Sequence, residues 1–474
     1  MIGGTFDVRI YSIERRERAN GYTYKVVWKV GTKKHSKTYP TKALADARRS
    51  DLLTAVKRGE PFSLETGEPI SYASKAADTN WYDFAVEFVD KTWIPSSGNH
   101  RKNVAKAMTA ATIAMFRTPP KQFEPVNVRT ALREWAFNTK QRTNPDRPIP
   151  DDVRVILDWV QRNTLPMSAW EQTEKVDMVV TALGTLLDGT AAAASSISRN
   201  RRIMNLAMEY AIRHGILRSN PLPKGKRKGE GGGAPKVAQA IDKRSLLNPQ
   251  QVTALLEWIG QRPRRGPLYK AFFAALCYAG LRPEEAVALR VADAWLPEEG
   301  AVDEEGDAVW GEFVVHEAQP EVGSQWTDTG KVHEERDLKG RAEGDTRTVP
   351  IHPDLVALLR GIIAKYKLEP TGLLFPGEGG EMLAGSVFRR VWNKARKAVL
   401  AAHEFLSPAG KRVYDCRHTC LTAWLNKGIP PAQVAEWAGN SVPVLLAIYA
   451  RCIVGQLANY LKQIKTIRYV PEAA

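Results

Sequence analysis

Six residues in the second half of the chain have the types needed to attack a phosphodiester. Arg282 and Glu285 lie in GLRPEEA, Lys339 in DLKGRAEGDTRTVP, Arg417 and His418 in YDCRHT, and Tyr449 in LLAIYAR. Guanidinium groups clamp a phosphate in bidentate fashion. An ammonium can protonate a leaving oxygen, and a phenol can act as the nucleophile. Together they form a set able to break a nucleic-acid strand covalently without a metal ion. Each residue alone has a plainer reading. Arg282 and Glu285 can be a structural pair at a helix corner, and Lys339 a solvated lysine with Lys331 as its competitor. His418 can be a packing residue and Tyr449 a core tyrosine. The order of the four groups, and the 32 residues from Arg417 to Tyr449 (449 − 417 = 32), favour the joint reading.

The neighbouring residues predict how these side chains are held. Residues 267–279 read as an apolar helix closed by Gly280, and Pro283 opens the next helix, so Arg282 sits at a tight junction. Residues 309–316 and 345–351 read as strands flanking a long polar excursion that carries Lys339. Arg417, Leu421 and Trp424 share one helix face, with Asp415 as the candidate cap. An arginine on an apolar face needs an anionic partner, which can be a phosphate or a buried carboxylate. Val442, Leu445, Leu446, Tyr449 and Ile453 form one helical stripe.

The chain of 474 residues is long enough for two to four domains. Residues 6–13, 21–30 and 34–39 read as three strands joined by tight turns, the first of them charged, and 41–58 as a helix. This makes a basic module over 1–62, a candidate for a DNA major groove or, more plainly, a small interaction domain. Residues 1–60 carry 14 Lys and Arg against 6 Asp and Glu, a net of +8. That is half of the whole chain's +16, and it points to a polyanionic partner. Residues 62–79 read as a connector. A helical region follows over 80–220, with helices at 80–92, 100–116, 127–138, 150–163, 169–187 and 194–215. Residues 221–245 form a Pro-, Gly- and Lys-rich linker, either tracking a phosphate backbone or serving as a plain tether. A last domain, 246–474, opens with Asn248 as N-cap and Pro249 at the first helical position. The expected fold is multidomain, mainly α with small β-sheets.

Cys277, Cys416, Cys420 and Cys452 form no CxxC pair and are read as reduced thiols. No apolar run reaches a membrane span and no signal peptide is evident. The expectation is a cytoplasmic protein with no membrane partner, associated with the nucleoid when bound to DNA.

GLRPEEA and the run YDCRHTCLTAWLNKGIPPAQVAEWAGNSVPVLLAIYARC resemble the two arginine boxes and the nucleophile segment of the tyrosine recombinases, the phage-type integrases. The resemblance extends over 247–465 and is strongest to integrases of actinobacterial phages and integrative plasmids. It implies a catalytic domain over 246–474, a helical core-binding bundle over 80–220 and an arm-type DNA-binding domain of a three-stranded sheet plus helix over 1–62. It implies site-specific recombination through a 3′-phosphotyrosine intermediate to integrate or excise a mobile element, with no cofactor. Tyr449 is the implied nucleophile, Arg282 and Arg417 the phosphate clamp and Lys339 the general acid. His418, Tyr414, Asn440 and Glu285 take supporting roles. The partners implied are double-stranded attachment sites, a homotetramer on synapsis, an excision factor and a DNA-bending host protein. The last helix, about 454–465, is expected to dock on a neighbouring protomer. Two positions depart from the family pattern. Tyr414 stands where a histidine usually precedes the second arginine, and Asn440 stands where His or Trp is usual. Neither can act as an imidazole acid–base, so a non-cutting DNA-binding regulator is a second expectation. A type IB-like topoisomerase is a third.

Overall fold

In the computed structural model, residues 4–18, 21–72, 78–223, 240–338, 344–452, 461–462 and 464–465 are described. Lys339 and most of the expected helix over 454–465 lie outside them. The chain divides into two compact units, Met1–Gly225 with Gln325–Gly330, and Lys226–Ser324 with Lys331–Ala474.

In the first unit, strands β1 (Val8–Ile10), β2 (Glu14–Arg18), β3 (Gly21–Val30) and β4 (Lys33–Tyr39) form an antiparallel sheet around β3. β4 pairs along one edge of β3, and β1 and β2 share the other edge end to end. The sheet is therefore three strands wide, as expected, but the charged stretch Glu14–Arg18 is strand and not turn. The ten-residue β3 offers enough edge to pair it. Val26, Trp28 and Val30 point to one face at period two and bury against Ala45, Leu52 and Ala55 of α1 (Lys42–Lys57). The Thr41 side chain caps α1 by accepting from the Leu44 amide.

The helices of this unit are α2 (Trp81–Trp93), α3 (Gly98–Ala114), α4 (Asp151–Asn163), α5 (Thr173–Leu183) and α6 (Ala194–Arg213). The expected helix 127–138 begins as an α-helix at Pro125–Thr130 and widens to a π-helix over Ala131–Ala136. The expected helix 169–187 is a 3₁₀ turn at Met167–Glu171 followed by α5. Gln325–Gly330 belongs to this unit although it is late in sequence. The buried Arg101 forks Asp328 at 2.8 and 3.0 Å and donates to the Trp326 carbonyl at 3.0 Å.

The second unit opens with α7 (Pro249–Gly260), with Asn248 as N-cap and Pro249 in the first turn as expected, and a capping box joins Asn248 to Gln251. α8 (Gly266–Tyr278) follows, apolar but for Lys270 and buried without a break over Ala271–Cys277. β5 (Ala294–Trp295), β6 (Gly311–Val315) and β9 (Arg347–Ile351) form an antiparallel sheet with β6 in the middle. β7 (Glu317–Ala318) and β8 (Arg336–Asp337) pair within the polar excursion. Helices α9 (Pro353–Tyr366), α10 (Gly385–Val399), α11 (Tyr414–Asn426), α12 (Pro431–Ala438) and α13 (Val442–Tyr449) complete the unit. Phe272, Phe273, Phe313, Leu355, Phe375 and Trp392 lie in its core. Asp415 is not the N-cap of α11. It lies inside the first turn, and its carboxylate accepts from the Arg412 amide at 2.8 Å and from the Arg412 guanidinium. The mainly helical fold with small sheets is as expected.

Candidate active site

Arg282 is placed by a chain reversal. α8 ends, Gly280 adopts a left-handed φ of +62°, and Arg282 is extended ahead of Pro283, which opens a one-turn helix to Ala286. A Cβ at Gly280 would lie 3.1 Å from Leu421 and 3.3 Å from the Cys420 sulfur, so this reversal packs directly on α11. Arg282 Nη1 donates to Glu285 Oε1 at 2.6 Å, and the Arg282 amide donates to Glu285 Oε2 at 2.9 Å. Arg282 Nη2 donates to the Gly439 carbonyl at 2.7 Å and to Asn440 Oδ1 at 3.0 Å. Burial works to lower the Arg282 pKa, but Glu285 and the nearby Tyr414 hydroxyl outweigh it and raise it.

Arg417 is 1% exposed on α11, and its guanidinium donates to the carbonyls of Gly280 and Ala438. These carbonyls, with that of Gly439, close the C-terminal ends of α8 and α12. A helix leaves its last carbonyls without intrahelical partners, and the negative end of its dipole lies there. These helix ends hold Arg417 through backbone carbonyls, and the Gly439 carbonyl adds to the side-chain partners of Arg282. The Arg417 Nε is buried without a protein partner. Burial and the charge of Arg282 both lower the Arg417 pKa, as expected where two cations are crowded.

Arg347 joins the site without having been expected there. It opens β9, is 2% exposed, and forks both oxygens of Glu285 at 2.9 and 2.8 Å. The signal was the alternation of TRTVPI, which puts Arg347 on the same inward face as Val349 and Ile351. Gly439, at φ +60°, packs against this guanidinium, and a Cβ there would lie 2.6 Å from Arg347 Nη1. Burial alone would raise the Glu285 pKa. The hydrogen bonds and charge of Arg347, with the charges of Arg282 and Arg417, reverse this and hold it down at about 2.

Tyr449 ends α13, is 2% exposed, and its hydroxyl lies 2.8 Å from His418 Nδ1. Burial pushes the phenol pKa up, opposed by the charges of Arg417 and, more weakly, Arg282. Burial lowers His418 to about 4. The His418 ring contacts Tyr414 and Tyr449 edge-on, with centroids 5.0 and 5.6 Å apart. The Ile241 amide donates to the Ile448 carbonyl at 3.3 Å, one residue before the phenol. Arg282, Glu285, Arg417, His418, Tyr414, Asn440 and Tyr449 are thus brought together, and Lys339 is outside the described residues.

Three guanidiniums and one carboxylate leave this cluster with an excess of two positive charges, a setting for an anion beside a phenol and an imidazole. Among the described residues, no group of three or more His, Cys, Asp or Glu is placed to hold a metal ion. Cys277, Cys416, Cys420 and Cys452 are free, buried thiols. Among the described residues, no helix is long and apolar enough to cross a membrane.

No family model matches the chain. A curated protein of Sinorhizobium fredii (strain NBRC 101917 / NGR234), y4rC, provisionally described as an integrase/recombinase, is 30% identical over 111 residues. The match covers 23% of this chain and 32% of that protein, so the chain spans about a third of the length of this relative. The Tn1549 transposon integrase, solved with circular intermediate DNA, is 16% identical at a TM-score of 0.44, covering 71% of this chain and 99% of that one. The XerH recombinase bound to difH is 12% identical at 0.39, covering 79% and 96%. The lambda integrase tetramer on a Holliday junction is 12% identical at 0.41, covering 90% and 95%. The motifs around Arg282, Arg417 and Tyr449, together with the curated relative, place the likeness of this chain with the tyrosine recombinases.

Proposed function

We propose that the chain is a site-specific DNA recombinase that cuts and rejoins strands through Tyr449. The observation that carries this reading is the convergence of Arg282, Arg417 and the His418-bonded Tyr449 hydroxyl in one buried cluster. The Tyr449 oxygen attacks the scissile phosphorus, forming the phosphotyrosine ester as the bond to O5′ breaks. The phenol proton passes to His418 Nδ1, which requires the Nε2–H tautomer. Lys339 delivers a proton to the departing O5′. Arg282 and Arg417 neutralise the charge that builds on the non-bridging oxygens. Asn440 gives its Oδ1 to Arg282, which leaves its NH2 to donate to a phosphate oxygen. Tyr414 supports Arg282. Rejoining reverses the step and conserves the ester energy.

The reading includes the domain plan. Residues 1–62 serve as an arm-type DNA-binding domain, 80–220 as a core-binding domain, 221–245 as a basic linker and 246–474 as the catalytic domain. Partners are two duplex attachment sites held by four protomers, with an excision factor and a DNA-bending host protein as accessory components. A duplex selected by the wild-type chain from a random pool, nicked near its centre, tests it. A protein–DNA band on a denaturing gel is expected from wild type and none from Tyr449→Phe, with site binding unchanged. An adduct of normal yield from Tyr449→Phe removes Tyr449 as nucleophile. Binding without any wild-type adduct leaves the non-cutting regulator.

A further inference from the structure

Glu285 accepts four hydrogen bonds, and their distribution is unequal. Arg347 takes both oxygens through its fork, Arg282 reaches Oε1 with Nη1 alone, and the fourth bond is the Arg282 backbone amide to Oε2. A carboxylate offers about four acceptor positions, so this one is full. The strongest geometry for a lone Arg–carboxylate pair is the bidentate fork. Arg282 is denied that fork because Arg347 already occupies it. Its Nη2 turns instead to Gly439 and Asn440, toward Arg417 and Tyr449.

Charge leads to the same assignment. Arg347 and Glu285 are both almost wholly buried and neutralise each other. Arg282 shares that same carboxylate and Arg417 bonds only carbonyls, so the cluster keeps two positive charges in excess. We propose that Arg347 is a positioning residue of the phosphate clamp, holding Glu285 so that Arg282 stays oriented at the site with its positive charge left for the substrate phosphate. This rests on the strand-cleavage reading above. Arg347 touches no substrate. It acts through Glu285, and the close fit of Gly439 against its guanidinium fixes it in place.

The test uses the full chain and the selected nicked duplex, with either a natural phosphodiester or a neutral methylphosphonate at the scissile position. Arg347→Met is expected to slow adduct formation about 10- to 100-fold on the phosphodiester, below the 10²- to 10³-fold for losing a direct donor. Site binding stays within about twofold. On the methylphosphonate, which is neutral before attack and carries one negative charge fewer in the transition state, the loss shrinks to about threefold or less. Glu285→Gln in the Arg347→Met background removes the competing charge and restores about tenfold on the phosphodiester. Arg347→Lys, which cannot fork, falls between wild type and Arg347→Met and serves if the latter does not fold. Equal losses on both linkages, or no restoration by Glu285→Gln, overturn the proposal and leave Arg347 a structural residue. If wild type forms no adduct, the cleavage reading fails separately. Inorganic phosphate binding then decides, with about tenfold weakening expected in Arg347→Met and unchanged affinity overturning the proposal.

Discussion

His418 Nδ1 and the Tyr449 hydroxyl lie 2.8 Å apart, on different helices and both buried. Burial lowers the imidazole pKa to about 4, which keeps the ring neutral at and well below pH 7 while making it a weaker base. A neutral ring can accept the phenol proton, which a charged one cannot. His418 is the imidazole beside the phenol. His418→Asn is therefore expected to slow adduct formation by about 10²- to 10⁴-fold at pH 7. A loss under about threefold in single-turnover assays would assign proton transfer elsewhere.

The same shift makes stability depend on pH. Unfolded, His418 binds a proton near its ordinary 6.5, and folded it does so only near 4. Between these values the unfolded chain holds more protons, so stability falls as pH drops from 6.5 to 4, by an amount on the order of 3 kcal/mol. Glu285, at about 2 against an ordinary 4.5, adds a second loss as pH falls from 4.5 toward 2. Denaturant melts across this range should show both losses, and His418→Gln should flatten the upper one. An unchanged upper slope in that variant would contradict the assignment.

If Lys339 protonates O5′ as in the proposed reaction, Lys339→Ala should slow cleavage far more than it weakens binding. A 5′-thiolate leaving group needs no proton, so a phosphorothiolate linkage should restore the rate. If it does not, Lys331 becomes the candidate acid.

Gly439→Ala should harm both fold and activity. The left-handed φ alone costs about 1–2 kcal/mol for a residue with a Cβ. The new methyl would also meet Arg347 Nη1 at 2.6 Å and Arg282 Nη1 at 3.4 Å. Thermal melts should show the first effect. Adduct yield below the melting range should show a further loss, and full activity there would separate Gly439 from the arginines.

Much of this was readable from the chain because it is local. The Gly280–Pro283 reversal, the Arg282–Glu285 pair and the Asn248 cap each depend on residues within about one helical turn, while the expected stripe of α13 holds at Val442, Leu445 and Tyr449 but leaves Leu446 exposed. What was hidden depends on partners distant in sequence. Arg347 meets Glu285 across 62 residues, and only the folded sheet brings it there. The holders of Arg417 are main-chain carbonyls, which have no signature in residue type. Asp415 has the composition of a cap, but α11 begins one residue before it, so it serves the Arg412 amide instead. The charged Glu14–Arg18 has poor strand composition, yet the length of β3 recruits it.

The bond from the Ile241 amide to the Ile448 carbonyl fastens the end of the stretch 221–245 to the residue before Tyr449. Ile241 also packs against the small cluster that contains Tyr449. Loss of that bond would therefore be felt in α13. Ile241→Pro, which has no amide proton to donate, should loosen hydrogen-exchange protection over 442–449 while leaving that of α8 unchanged.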